Sequence, residues 1–446
     1  MNKDIFSVIP AKAGIQSILK QLKKRKTFSL QADGNSMLPL LHPKDQVFYK
    51  KIRFSKIKTN DLVFVFQKTQ PFTHRVIYKT DKYLITKGDN NLESDGKIYP
   101  QQIVGKITSV RRKNKIIDPE MLYLIQSSLY FKEIVKIIEA FEKNKVSYVF
   151  LKGLPVHLYY EKIHPCRLYL DADVLVDKAH YKTAVEILTK FGYKSTDSSL
   201  SPTQKKLKNK TVEISFYKLV NGFPVIFDVH LEPAFMMTQI GNLEALYPQK
   251  LIDKLTNEFL KNKQQLTINN QQFSILSPPN LIIYLALHFF HHNFRGAFRL
   301  DFLDKVIRKC HPELVSGSRN KFGMTGWEQI TQKINRYHLQ NFVSPVFRLL
   351  KKYYNTPLPV PFLKTMEQFN NLTMKQYLKI NIFNDELRTS AGVRRFFLLF
   401  SLSPFPIFKK ILVFFNPQVI YLIVFILNSK LKILLKNVLN RFILNL

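Results

Sequence analysis

A run of apolar residues that carries two carboxylates constrains this chain more than any other feature. Residues 167–176 have the sequence RLYLDADVLV, and their Tyr, Leu and Val side chains are typical of a buried strand. Because side chains alternate between the faces of a strand, Asp171 and Asp173 lie on one face. Two such carboxylates repel each other unless a cation neutralises them, and oxygen ligands suit Mg²⁺, which often holds nucleotide phosphates. The alternative is an exposed strand end with two solvated carboxylates.

The segments on either side carry further polar residues at strand ends. Residues 146–155 have the pattern of an apolar strand that turns into a helix, with Lys152 and Gly153 at the junction. Gly153 lets backbone N–H groups approach a phosphate, and Lys152 supplies a positive charge. Residues 223–231 form another apolar strand, which carries a third carboxylate, Asp228. The order is therefore strand–helix, a strand with two carboxylates, a helix, and a strand with one carboxylate.

This order of elements resembles the DNA polymerase beta-like nucleotidyltransferase superfamily. The segments 150–153 (FLKG) and 228–230 (DVH), together with the carboxylate strand, are similar to one branch, the uncharacterised bacterial nucleotidyltransferase-like family. The helical pattern after residues 277–280 (SPPN) looks like the helical part of that family. The resemblance covers roughly residues 120–310 and implies an α+β fold with helices after it.

The resemblance also implies a chemistry. It assigns the transfer of a nucleotidyl group from an NTP to this region, with two Mg²⁺ ions bound by Asp171, Asp173 and Asp228. Lys-Gly stands where the superfamily usually has Gly-Ser, although it matches the branch. By the same resemblance, three residues contact the nucleotide, namely Lys152, Gly153 and Arg167.

The first quarter of the chain has a different character, because short β-rich runs alternate there with turn clusters. The runs lie at residues 46–49, 62–66, 75–78 and 83–86. We therefore predict a small all-β unit in residues 28–110.

Several motifs occur in order inside this β unit. They are GNSMLP at 34–39, THRV at 73–76, GDNN at 88–91 and VGK at 104–106. Over about eighty residues they resemble the signal peptidase I and LexA-like serine peptidase superfamily, in the branch that uses a Ser–His pair. The resemblance implies Ser36 as the nucleophile, His74 as the general base, and Asp95 as the carboxylate that orients the imidazole, with Asp89 as the alternative.

The same chemistry follows from the residue types. A serine hydroxyl attacks weakly until a base takes its proton, and a neutral histidine suits that task near pH 7. A carboxylate fixes the histidine tautomer and stabilises the imidazolium. Gly34 and the backbone N–H of Ser36 are candidates for an oxyanion hole. The alternative is that Ser36 and His74 are surface residues of a docking domain.

The charge of the chain restricts its candidate binding partners, and its cysteine content restricts its cellular compartment. The 446 residues include 68 Lys or Arg against 32 Asp or Glu, a formal charge of +36 that favours nucleic acid, anionic lipid or nucleotide phosphates. The alternative is a lysine-rich coding bias spread over every surface. Cys166 and Cys310 are far apart, which excludes a disulfide framework and fits a reducing cytoplasm. Because no spanning segment precedes Ser36, we expect a cytoplasmic protein whose peptide substrate is cytoplasmic or the chain itself.

We divide the chain into five segments. The basic run at 111–115 predicts a linker between the second and third of them. The segments are a basic tail (1–27), the β domain (28–112), a nucleotidyltransferase-like domain (113–309), an inserted surface loop (310–326) and a helical region (327–446). A helix is predicted from residue 119 to about 143, with an apolar face of Leu122, Leu124, Ile125, Leu129, Ile134, Ile137 and Ile138.

Two patterns have competing interpretations. His288, His291 and His292 have a spacing that suits a metal, but no carboxylate or cysteine lies nearby in sequence, so we expect incidental histidines on an aromatic-rich helix. Residues 387–446 contain nine Lys or Arg and no Asp or Glu. Their apolar run is too interrupted to span a bilayer. We expect a helical cap on the catalytic domain, with a peripheral contact to the inner face of the membrane as the alternative.

The sequence thus predicts a multidomain fusion. A small all-β peptidase-like domain is followed by an α+β polymerase beta-like nucleotidyltransferase fold with an α-helical C-terminal region. The expected activities are peptide hydrolysis and Mg²⁺-dependent transfer of NMP from an NTP to an unknown acceptor, in a shared pathway such as peptide maturation. One alternative is a catalytically silent basic protein that binds nucleic acid or an anionic membrane, and another is that only one half is active.

Overall fold

The computed structural model describes two sheets and the helices around them. Arg167, Cys166, nearly all of the basic tail and most of the predicted inserted loop lie outside the described residues. The described residues are 22, 24–67, 70–161, 169, 171–196, 211–233, 235–238, 243–310, 321–367, 381–385, 388–421 and 423–424.

The N-terminal part forms an eight-stranded antiparallel sheet. All four of the predicted β-rich runs overlap its strands. Its strands are β1 (Thr27–Gln31), β2 (Gln46–Lys50), β3 (Leu62–Gln67), β4 (Gln70–Lys79), β5 (Leu84–Lys87), β6 (Lys97–Ile98), β7 (Ile103–Arg112) and β8 (Lys115–Ile117). They are ordered β1-β2-β7-β3-β4-β5-β6, and β8 pairs with β7.

Apolar residues cover both faces of this first sheet. In β3, Phe64 packs into one core cluster and Val63 and Val65 into another, because neighbouring side chains of a strand point to opposite faces. Met37, directly after Ser36, is buried in the same cluster as Phe64. The segment that carries Ser36 is therefore held against the sheet by its apolar neighbour.

The basic run at 111–115 is not a linker, contrary to prediction. It is the turn and flanks of the hairpin between β7 and β8, and the boundary predicted between residues 112 and 113 falls in this turn. The guanidinium of Arg112 lies 2.7 Å from a carboxylate oxygen of the buried Asp45. Because Arg112 neutralises a buried carboxylate of the β domain, it is part of that domain and not of a linker to the next domain.

Helix α1 (Pro119–Lys143) has the predicted length, and Ile134, Ile137 and Ile138 of its predicted apolar face are buried. Leu124 and Ile125 are exposed, whereas Tyr130 and Gln126 are buried. The Gln126 side-chain carbonyl accepts a hydrogen bond from the backbone N–H of Tyr169 at 3.0 Å, and its amide donates to the Tyr169 carbonyl. Polar groups on the inner face are satisfied in this way, so the first half of the helix buries side chains that the apolar pattern does not include.

The rest of the chain is organised around a seven-stranded mixed sheet. Its strands are β9 (Tyr148–Lys152), β10 (Ala172–Val176), β11 (Lys194–Ser195), β12 (Glu213–Val220), β13 (Phe223–His230), β14 (Lys263–Ile268) and β15 (Gln271–Leu276). The order is β11-β12-β13-β10-β9-β15-β14, with β10 parallel to β13 and antiparallel to β9. The turn at Asn221-Gly222 connects β12 to β13, and both residues have positive φ, as the tightest hairpin turns require.

Helices cover this second sheet and extend beyond it. They are α2 (Leu154–Glu161), α3 (Tyr181–Lys190), α4 (Gln249–Lys261), α5 (Pro278–His291), α6 (Ala297–Cys310), α7 (Lys321–Arg336), α8 (Gln340–Tyr354), α9 (Val360–Glu367), α10 (Arg388–Leu402) and α11 (Ile407–Ile411).

The predicted inserted loop ends earlier than expected. Residues 321–326 are the first turns of α7 and not loop. Trp327, Ile330 and Ile334 anchor this helix in the core, and its backbone hydrogen bonds continue N-terminally past them.

The described C-terminal residues pack as the predicted cap. Phe396, Leu399 and Val413 are buried in the same core cluster as the second sheet. Within the residues that the structure describes, no helix combines the length and hydrophobicity needed to cross a bilayer.

The first sheet and its loops contact the helical part of the chain. The Tyr78 hydroxyl of β4 donates to the backbone carbonyl of Tyr353 at 2.7 Å, and the Tyr78 ring packs against Phe383. The backbone N–H and hydroxyl of Ser94 donate to the side-chain carbonyl of Asn384 at 3.0 and 2.9 Å. The β domain is therefore docked on the helical part of the chain.

Removal of a ring from the core of the second sheet tests this architecture. Phe273 is fully buried against Phe131 and Phe150. We expect Phe273→Ala to lower the free energy of unfolding by about 3–5 kcal/mol, because it leaves a cavity. Leu219→Ala is the control, since Leu219 is 67% exposed. Urea unfolding followed by circular dichroism compares them, and equal midpoints for the two variants would contradict the packing described.

Candidate functional sites

One row of residues crosses the middle of the second sheet. Asp173 of β10 is in register with Lys152 of β9 on one side and with Asp228 of β13 on the other. Ser215 of β12 continues the row beyond Asp228. Residues in register on neighbouring strands project to the same face. Strand pairing therefore brings together side chains that are far apart in sequence.

The structure gathers the three predicted carboxylates. Carboxylate oxygens of Asp171, Asp173 and Asp228 all lie within 4.8 Å of one another. The side chain of Asp171 is 42% exposed, whereas Asp173 is buried. Asp171 therefore marks the side of the cluster that is open to solvent.

Lys152, predicted to face a phosphate, contacts two of the carboxylates. Its ammonium lies 3.2 Å from Asp171 Oδ2 and donates a shorter hydrogen bond to Asp173 Oδ2. Buried carboxylates require a cation, and Lys152 is the one in register with Asp173. Gly153 lies between β9 and α2 as predicted, with a φ of +108° that favours glycine. Arg167, the third predicted nucleotide contact, lies outside the described residues.

Two charged residues of this site were not predicted. His230 Nε2 lies 3.0 Å from Asp173 Oδ1, and His230 Nδ1 lies 3.6 Å from Glu213 Oε2. The signal for His230 was its position two residues after Asp228, which places both side chains on one face of β13. Glu213 follows from the hairpin register, in which it is opposite His230.

The crowded charges shift the pKa values of the cluster. Burial raises the pKa of Asp228 to about 7, and the charges of Asp173 and Glu213 act in the same direction. Burial also acts to raise the pKa of Asp173, but Lys152 and His230 outweigh it and the pKa is lowered. Burial acts to lower the pKa of His230, yet Glu213 and Asp173 raise it to about 9. The cluster thus contains two cations that neutralise part of its negative charge.

Three histidines that are predicted to be incidental, namely His288, His291 and His292, lie at the C-terminal end of α5. They line the same cavity, of about 170 Å³, as the carboxylates. His288 Nε2 and His292 Nε2 lie 3.2 Å apart. Burial, followed by nearby cations that include Arg299 in each case, lowers the pKa values of His288, His291 and His292 well below the usual range. The sequence did not reveal this proximity, because the first of these histidines, His288, lies sixty residues after Asp228.

The carboxylate cluster suits a divalent cation. Four carboxylates, from Asp171, Asp173, Asp228 and Glu213, face the cavity with only Lys152 and His230 as ion-pair partners among the described residues. Asp228 Oδ1 is buried and has no hydrogen-bond partner among the described residues. An orphaned, buried carboxylate oxygen in an all-oxygen donor set fits a hard cation such as Mg²⁺. Asp171, Asp173 and Asp228 are the residues that would hold it.

The first sheet carries a second constellation. His74 Nε2 lies 2.9 Å from Ser36 Oγ, and His74 Nδ1 lies 2.7 Å from Asp95 Oδ2. With Nδ1 protonated, the imidazole donates to Asp95 and accepts from the Ser36 hydroxyl. The side chains of His74 and Asp95 are 7% and 15% exposed. Strands and loops separated by up to 59 positions, from Ser36 to Asp95, thus form one hydrogen-bonded chain.

The carboxylate of this chain is held from a second side. The Thr86 hydroxyl donates to Asp95 Oδ2 at 2.7 Å, and the backbone N–H of Asp95 donates to the Thr86 carbonyl at 2.9 Å. The ring of Phe72 packs against the His74 imidazole, with centroids 4.7 Å apart. These contacts fix the imidazole and its carboxylate relative to each other.

Two of the predicted members of this site take other roles. Asp89, the alternative third residue, is not on His74 but forms a two-pronged ion pair with Arg75 at 2.6 and 2.7 Å. Arg75 is buried and always charged, so its guanidinium requires a carboxylate more strongly than the His74 imidazole, which can be neutral. The backbone N–H of Gly34, a predicted oxyanion donor, donates instead to Asp33 Oδ1 at 2.8 Å.

Carboxylates clustered on neighbouring strands of a mixed sheet are what the polymerase beta-like resemblance implies for a nucleotidyltransferase. A family model described as "uncharacterised nucleotidyltransferase" matches residues 122–355, more than half of the chain. The protein therefore belongs to this family. The match extends beyond the region 120–310 that carries the resemblance and includes helices α7 and α8.

The other comparisons are negative. The resemblance of the first sheet to serine peptidases is not supported by a family match. Neither the curated proteins nor the solved structures compared with this chain include a match.

Removal of the Lys152 ammonium tests the electrostatics of the cluster. We expect Lys152→Met to lower the free energy of unfolding by about 3–5 kcal/mol, because it leaves buried carboxylates unpaired. Millimolar Mg²⁺ should restore much of this loss, since a cation that binds only the folded state stabilises it.

Thermal unfolding with and without Mg²⁺ measures both effects. Lys178→Met is the matched control, because Lys178 forms an exposed ion pair with Asp253. If Lys152→Met behaved like this control, or if Mg²⁺ did not restore its stability, the account of the cluster would be wrong.

Proposed function

We propose that the protein transfers NMP from an NTP to an acceptor at the cavity beneath α5. The observation that supports this most is the cluster of Asp171, Asp173 and Asp228 in the family-matched region. In this reaction an acceptor hydroxyl oxygen bonds to the α-phosphorus, and the bond from that phosphorus to the β-phosphate oxygen breaks. Pyrophosphate leaves, and the hydroxyl proton passes to a base or to solvent.

The three carboxylates would hold two Mg²⁺ ions, which neutralise charge on the phosphates. Because Lys152 pairs with two of these carboxylates, it has to leave them when the ions bind. Its ammonium would then serve the triphosphate beside Gly153, at the N-terminal end of α2. We propose Arg167 as a further contact to the nucleotide.

A second activity is supported by the hydrogen-bonded chain in the first sheet. We propose that Ser36 Oγ attacks a peptide carbonyl while His74 takes its proton and passes it to the leaving amine. Asp95 keeps the imidazole in the required tautomer. Water then hydrolyses the acyl-enzyme, and the backbone N–H of Ser36 serves the oxyanion. A cytoplasmic peptide or the chain itself would be the substrate.

The fusion motivates a shared pathway, in which one peptide is both modified with a nucleotide and trimmed. The competing proposal is a catalytically silent basic protein that binds nucleic acid or an anionic membrane. Loss of Mg²⁺-dependent NTP binding on Asp171→Ala supports catalysis. RNA binding that weakens with salt but is unchanged by Asp171→Ala supports the hypothesis of a catalytically silent binding protein.

Transfer of a labelled nucleotide tests the first activity. Incubation with each α-³²P-labelled NTP, Mg²⁺ and a cell extract of candidate acceptors should give labelled product. We expect Asp228→Asn to reduce the rate by about 100-fold or more, because the amide would hold the cations that neutralise the phosphates less strongly than the carboxylate. Asp253→Asn, at an exposed ion pair, is the control. Equal labelling by both variants would contradict the proposed site.

Labelling with a fluorophosphonate probe tests the second activity. We expect wild-type protein to be labelled and Ser36→Ala to be unlabelled, with the exposed Ser55→Ala as the control. Asp95→Asn should slow labelling by roughly 100-fold or more, because the imidazole loses its partner. A folded Asp89→Asn should keep the wild-type rate. Labelling of Ser36→Ala would exclude Ser36 as the nucleophile.

A further inference from the structure

The outer face of the C-terminal cap carries an apolar stripe. Helix α11 continues into a helical turn at Leu412–Phe415, so that residues 407–415 are one helical segment. Five large apolar side chains of this segment are between 47% and 76% exposed. They are Ile407, Phe408, Ile411, Leu412 and Phe415, and we call them the outer stripe.

The stripe lies on one side of the segment. Its positions follow the i, i+1, i+4, i+5, i+8 spacing of a single helical face. On the other side, Val413 is buried in the main core and Phe414 packs against the rings of Phe396 and Phe400. Because the inner face is fixed in this way, the outer stripe cannot turn inward without loss of these contacts.

Exposure of this kind differs from the ordinary scatter of surface apolar residues. Single exposed residues are common, but five contiguous ones on one helical face mark an interaction surface. Burial of such side chains contributes about 1.5–3 kcal/mol each relative to exposure. The stripe therefore has a substantial driving force to be covered.

The charges around the stripe identify the partner. Lys409 and Lys410 lie within the same segment, and residues 388–446 contain no Asp or Glu. The Lys409 ammonium lies 3.6 Å from the centroid of the Phe405 ring, and the Lys410 ammonium lies 3.4 Å from the Ser401 carbonyl oxygen. Lysines thus lie in the same segment as the stripe, and a helix that combines an apolar face with lysines is typical of the plane of a membrane interface.

Other occupants fit less well. A second copy of this chain would bring two surfaces of the same sign together, on a protein of formal charge +36. The segment 425–446 of this chain also fits less well as the partner of the stripe, because it carries positive side chains and no acidic residue. Nucleic acid matches the charge but does not need a face with three aliphatic side chains. A bilayer with anionic headgroups satisfies both the apolar side chains and the lysines.

We propose that the outer stripe inserts into the interface of an anionic phospholipid bilayer and holds the protein at the membrane surface. The apolar side chains enter the boundary between headgroups and acyl chains, and the lysines contact the headgroup phosphates. The helix lies in the plane of the bilayer and does not cross it.

Co-sedimentation with vesicles tests this proposal. The full-length protein is mixed with vesicles of phosphatidylcholine alone or with 30% phosphatidylglycerol, a composition chosen at roughly physiological anionic charge. We expect binding to the anionic vesicles, and at least a 10-fold weaker apparent affinity for Phe408→Ser combined with Phe415→Ser. The matched control is Ile116→Ser combined with Leu219→Ser, which removes two equally exposed apolar side chains elsewhere.

The reverse outcomes are equally clear. Binding to anionic vesicles that the stripe variant retains would overturn the proposal, since charge alone would explain it. Three other results would also overturn it. A dimer in light scattering that the stripe variant loses would indicate a second copy of the chain, and RNA binding that depends on the stripe, without vesicle binding, would indicate nucleic acid. A melting temperature that falls only in the stripe variant would indicate that the chain itself covers the stripe. Equal melting temperatures of both double variants with selective loss of vesicle binding would support the proposal.

Discussion

Neutralisation of buried carboxylates in the second sheet is the constraint on which the site depends. Strand pairing brings Asp173 between Lys152 and Asp228, and His230 contacts its second oxygen. Without these cations, like charges this close would not remain buried in an apolar sheet. The same attraction makes the cluster a cation site, because a divalent ion competes for the oxygens that Lys152 occupies.

The two constellations are parts of one packed molecule. Asp385 donates its backbone N–H to the carbonyl of Leu92, close in sequence to the carboxylate that holds His74, at 2.7 Å. In the same segment, the carbonyl of Ile382 accepts from the backbone N–H of Gly296, at the start of α6, at 2.9 Å. A short stretch of chain thus contacts both the loop of the first site and a helix beside the second. The docking of the β domain on the helical part is built from specific hydrogen bonds as well as apolar contacts.

Sequence reasoning located the elements better than the contacts between them. The strands, the hairpin at Asn221 and the length of α1 follow from periodicity and turn chemistry, which are local properties. The choice of Asp95 over Asp89, by contrast, depends on Arg75, whose burial only the tertiary fold determines. The position of the α5 histidines beside the carboxylates was missed for the same reason. No local pattern reveals that a helix will cross over distant carboxylates.

Binding of Mn²⁺ is the most direct measurement of the central claim, that three carboxylates form a metal-dependent nucleotide site. Mn²⁺ replaces Mg²⁺ in such oxygen sites, and its bound and free forms are distinguished by electron paramagnetic resonance. The account predicts that the protein binds Mn²⁺ with a non-hydrolysable NTP, that Asp228→Asn abolishes this binding, and that Lys152→Met strengthens it. If Mn²⁺ remained free, or bound equally to wild type and Asp228→Asn, the carboxylates would be a structural charge cluster and not a metal site.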